Sequence, residues 1–102
     1  MKEFTAFYEK QSARLREEHD AWVKSNGKMR SIEMALTQIK SVGDTDITPA
    51  KQVLRDEYEK EKTKNEEICS HMCNLQEFVL NMEAEAREHG LSWNNCKDIF
   101  GY

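Results

Sequence analysis

From Thr48 to Gly90 the apolar residues recur at alternating steps of three and four. Leu54, Tyr58, Ile68, Met72, Leu75, Val79, Met82 and Ala86 fill the two seam positions of a heptad, and Glu61 and Asn65 are the only polar residues in that run. A half-buried strand repeats every two residues, so this spacing excludes a sheet. It predicts a long helix lying against another helix.

The partner is upstream. Phe4, Tyr8, Gln11, Leu15, Glu18, Trp22, Ser25, Met29, Ile32, Leu36 and Ile39 obey the same alternation without a slip, which predicts a first helix over 2–41. The register runs straight through Asn26-Gly27. A glycine inside a helix costs about 1 kcal/mol relative to alanine, so Gly27 is a soft spot, and the intact register argues for one continuous helix. Ser41 to Thr48 reads as the loop. Gly43 supplies a stop, Thr48 an N-cap and Pro49 the first helical position of a second helix over 49–89. Gly90 ends that helix, and Ser92 is the expected N-cap of a short third helix with Trp93, Cys96, Ile99 and Phe100 on one face.

The two seams test each other. A short loop near residue 45 sets residue i of the first helix beside roughly residue 90 − i of the second. Leu15 then meets Leu75, Trp22 meets Ile68, Ile32 meets Tyr58, and the polar pair Ser25 and Asn65 meets itself. The predicted fold is all-α. Residues 1–90 form an antiparallel coiled-coil hairpin roughly 60 Å long, and 91–102 form a short C-terminal helix and docking segment. The high share of charged residues (33%), the single Pro and the four Gly suit long exposed helices.

One seam is a small core. Phe7, Val23, Val53, Phe78 and Leu80 lie off it, as do Trp93, Ile99, Phe100 and Tyr102. One reading is that the third helix folds back over Phe7 and Phe78. The reading preferred from sequence is that the terminal aromatics dock on a partner, with Trp93 and Phe100 as anchors. Two hairpins packing into a four-helix bundle would bury a second stripe, so a homodimer is expected. The partner-binding set is Phe7, Phe78, Leu80, Trp93, Ile99, Phe100 and Tyr102.

No motif points to catalysis or to a cofactor. Cys69-Ser-His71-Met-Cys73 carries metal-binding residue types, but on a helix His71 sits about 200° round from Cys69 and cannot join the cysteines at one ion. Cys96 is expected more than ~20 Å from Cys73 along the rod. A structural zinc needs four N/S ligands, so no metal site is expected within one chain. His19, His71 and Cys69 fall at one level of the rod, without a cleft to serve them. Lys24, Lys28 and Arg30 make a small basic patch, faced by acidic residues of the second helix, which argues against nucleic acid. Residues 1–42 carry eight Lys/Arg and six Asp/Glu, against seven and thirteen in 43–102, so the halves attract.

The absence of a long apolar run argues against a membrane span. The odd cysteine count and the lack of an apolar leader suggest a cytoplasmic protein with reduced thiols. The start at Met1 with no linker suggests a complete small gene product. By elimination the expected function is non-enzymatic: an assembly or adaptor module acting through self-association and its C-terminal aromatics. The alternatives are a small inhibitor that occludes a larger enzyme or nucleic-acid machine, and a nucleic-acid binder using Lys24, Lys28 and Arg30.

Overall fold

The computed structural model describes residues 2–39 and 48–101, with Thr48 described by its backbone only. The expected loop with its Gly43 stop, the Thr48 side-chain cap and Tyr102 lie outside the described residues. Helix α1 spans Lys2–Ile39, α2 spans Thr48–Glu88 and α3 spans Asn95–Phe100. There is no strand among the described residues, and no described helix is long and apolar enough to cross a membrane.

Helices α1 and α2 pack antiparallel along their length, and the molecule measures 69 × 20 × 15 Å. The heptad seam is the buried stripe. Tyr8, Leu15, Ile32, Met72, Val79, Met82 and Ala86 are buried, and every other seam position of the described helices is at least half-shielded. Leu15 and Val79 are fully enclosed, and side chains of this size contribute about 1.5–3 kcal/mol each when buried. Helix α1 is continuous through Gly27, where an added Cβ would meet nothing within 4 Å. The glycine therefore serves neither a turn nor a close approach.

Helix α2 stops in a Schellman arrangement. Gly90 takes φ +80°, the Leu91 N–H donates to the Ala86 carbonyl and the Gly90 N–H to the Arg87 carbonyl, both at 3.0 Å. This cap reverses the chain, so α3 runs back along one flank of the hairpin. Cys96 becomes fully buried, and Trp93, Ile99 and Phe100 pack against the core around Tyr8, Leu15 and Met72.

Two details differ from the sequence reading. Ser92 does not cap α3. The helix starts later, with Asn94 in the N-cap position and no side-chain cap bond of its own. The helix also does not cover Phe7 and Phe78, which remain 45% and 46% exposed. It lies on the other flank, because residues of the hairpin supply its missing cap there.

Candidate functional site

That capping contact is the most polar feature of the core. The Tyr8 hydroxyl donates to Glu83 Oε2 at 2.8 Å and accepts the Asn95 N–H at 3.0 Å. The Cys96 N–H donates to the same Glu83 oxygen at 3.1 Å. Two orphan donors of the α3 N-terminus are thus satisfied by side chains of α1 and α2. Trp93 closes the site, its ring stacked on Tyr8 at 4.3 Å and tilted against Phe4 at 5.3 Å. Burial, with the Glu83 carboxylate adding to it, pushes the Tyr8 phenol well above its ordinary range. The same two causes push the Cys96 thiol up to about 12. Both groups are neutral at pH 7 and act as packing and hydrogen-bonding atoms.

The opposite flank is open. Phe7 and Phe78 meet edge to face at 5.9 Å across the helix pair. Beside them runs a groove of about 410 Å³ lined by Arg14, Glu18, His71, Asn74, Leu75 and Phe78. Phe7 and Arg14 are seven residues apart on α1, and Phe78 and Glu85 are seven apart on α2, so the four occupy one edge of the rod.

Mid-rod, the polar layer forms as its residues predicted. Asn65 Nδ2 donates to Ser25 Oγ at 3.1 Å and to Asn26 Oδ1 at 2.8 Å. Glu61 is buried on the seam and is met by Lys28 at 3.5 Å. A hydrogen bond from Ser25, ahead of the charges of Lys28 and Lys64, holds the Glu61 carboxyl below its usual range. The basic patch is divided. Lys24 and Lys28 line one cavity with Lys64 and Glu61, whereas Arg30 lines another with Glu33 and Met34.

The level shared by His19, His71 and Cys69 splits between flanks. The His19 ring meets Phe100 edge-on at 5.0 Å, while His71 lines the Phe78 groove. Cys69 and Cys73 stand 3.9 Å apart at sulfur. The expected separation of Cys96 is overturned: its sulfur lies 3.9 Å from the Gln76 carbonyl, three residues from Cys73, because α3 folds back. Even so, no group of three or more His, Cys, Asp or Glu side chains suited to a metal occurs among the described residues.

The thiols should therefore divide on alkylation of the native protein. Cys69 and Cys73 are accessible and Cys96 is sealed. Mass spectrometry after iodoacetamide treatment should find two modified sites. Cys96 should react more than about a hundredfold more slowly until denaturant is added. Three equally fast thiols would show that α3 is not docked.

Sequence reasoning missed Glu83 and Ser12, both buried. They lie one position off the seam, and burial there comes from α3, whose path follows a glycine cap rather than a heptad. The one signal in the sequence is that Glu83 shares a helix face with Gln76 and Cys69, seven and fourteen residues upstream. With this geometry in hand, comparison with family models, with curated proteins and with solved structures found no match to this chain.

Proposed function

We propose that this chain is a non-enzymatic interaction module that works by packing helical surfaces together, with itself and with another protein. The observation that carries the reading is the Phe7–Phe78 pair. Two large aromatic rings meet in contact, yet each is left nearly half exposed beside a groove. A contiguous aromatic surface of this kind is the usual anchor of a protein interface, because each ring buries much area with few rotamers to freeze.

The surface total supports the reading. The chain exposes 7397 Å², where a compact chain of 12.0 kDa exposes about 6,000 Å². Val23, Met34 and Val53 are also exposed but stand singly, which is ordinary for a soluble surface. Leu80, Trp93, Ile99 and Phe100 belong to the same reading as a second contact region. Trp93, Ile99 and Phe100 are partly occupied within the chain, so the Phe7–Phe78 face is the primary one. A cytoplasmic, reducing setting goes with this reading, motivated by the odd number of cysteines.

The test is mass in solution. Light scattering across a concentration series should rise from 12 kDa toward twice that value. A Phe7→Ser, Phe78→Ser double variant should stay monomeric while keeping its helical circular dichroism. A wild-type chain that remains monomeric at several hundred micromolar would overturn self-association.

A further inference from the structure

The Phe7–Phe78 edge carries a charge pattern along the rod, and what it implies goes beyond self-association in general while resting on it. Residues that face each other across the hairpin have numbers adding to about 90, as in Ser25 with Asn65, Tyr8 with Glu83 and Lys28 with Glu61. On that scale Phe7 and Phe78 bracket one point along the rod. Arg14 lies beyond them toward the loop end. Glu85 lies the same distance beyond them toward the open end, roughly 7 Å from that point by helical rise. A cation and an anion at equal and opposite distances along the rod from an aromatic pair, on one edge, match in charge when a second copy lies antiparallel on that edge. A two-fold axis across the rod at that point brings each Arg14 to the level of the other copy's Glu85, one helix across and within reach of the two long side chains, and each Phe7 to the level of the other's Phe78.

We infer that two copies associate through this edge, antiparallel, with the two-fold axis between Phe7 and Phe78 and two Arg14–Glu85 ion pairs flanking it. Both charged side chains are on the surface and available. Arg14 makes a long 3.4 Å hydrogen bond to Gln11, and Glu85 a 3.5 Å contact with His89 at an exposed site, neither strong enough to hold the groups back. Helix α3 is on the other flank and does not obstruct the approach.

The charge pattern also limits the overlap. Lys24, Lys28 and Lys64 gather round the mid-rod cavity. An alignment centred there would set these clusters against each other, whereas an alignment centred on the rings keeps them apart. The rods therefore overlap by about 23 Å at their open ends, and the loop ends point in opposite directions. With a rod 69 Å long, the dimer measures on the order of 110 Å end to end. A strip about 23 Å long and one rod wide buries on the order of 1,000 Å² over both partners, the lower bound for a specific interface.

The experiment uses the full chain and its Arg14→Glu, Glu85→Arg and doubly reversed variants, followed by analytical ultracentrifugation and small-angle X-ray scattering. Each single reversal should raise the dimer dissociation constant about tenfold or more. The double reversal should restore it to within about threefold, because the pair is re-formed with its signs exchanged. The dimer's maximum dimension should be near 110 Å. A dimer whose strength ignores both reversals, or whose maximum dimension stays near 70 Å, would overturn this interface and leave self-association standing. A strictly monomeric wild type would overturn both, and the edge would then belong to a different protein.

Discussion

A chain ending at Gly90 is expected to melt roughly 15–30 °C below the full chain. Removing Leu91–Tyr102 takes away Cys96, which is fully enclosed, together with the packed faces of Trp93, Ile99 and Phe100. At about 1–1.5 kcal/mol for each such side chain the loss is roughly 4–6 kcal/mol, and a domain of about 100 residues shifts by about 4–5 °C per kcal/mol. The deletion also strips Tyr8 and Glu83 of the backbone N–H groups they receive and opens them to water. Hydrogen exchange should quicken first over Phe4–Leu15, the part of α1 that α3 shelters, while the Ser25–Asn65 layer stays protected. A single Trp93→Ala substitution should give a smaller drop of the same kind, since its ring stacks on Tyr8 at 4.3 Å. A truncated chain that melts within a few degrees of the original would mean that the segment is held too weakly to act as a cap.

The second large effect is at Glu83. The residue is 4% exposed, and its carboxylate accepts from both the Tyr8 hydroxyl and the Cys96 N–H. Glu83→Ala leaves two buried donors without an acceptor and opens a small void between α2 and α3. Each unsatisfied buried donor costs about 1–3 kcal/mol, so a loss of about 3 kcal/mol is expected in urea unfolding. Glu83→Gln keeps one oxygen acceptor and should lose about half as much. The Cys96 amide reports the cause directly, because its exchange should accelerate in Glu83→Ala before global unfolding does. A Glu83→Ala chain as stable as the original would place the cap energy in the aromatic stack and not in this network.

These two predictions fall on the part of the fold that was hardest to read. Helix α3 is legible as a short apolar segment after a glycine stop, but Ser92 places its N-cap two residues before the Asn94 that holds that position. A local N-cap is one way to satisfy a helix N-terminus, and here Tyr8 and Glu83 do it from 87 and 13 residues away in sequence. No short-range pattern encodes that. The same gap bears on the alternative in which α3 covers Phe7 and Phe78. Phe7 and Phe78 looked as though they needed covering, yet the hydrogen-bonding partners of α3 lie on the opposite side.

By itself the sequence determined the hairpin. A seam of alternating threes and fours fixes which face of each helix is buried, and one short loop fixes which residue meets which. Hence Ser25 meets Asn65, and Glu61 falls within reach of Lys28 or Arg30, of which the structure pairs it with Lys28. Those pairings follow from periodicity because a helix repeats its geometry every turn. Only the tertiary structure decided where α3 lies, and therefore that Glu83 and Cys96 are buried while the Phe7–Phe78 edge is open. After the left-handed turn at Gly90 the chain has no register to follow. Its direction is chosen by the few side chains that satisfy its N–H groups and shelter Trp93, a choice made in three dimensions between residues that no local spacing connects.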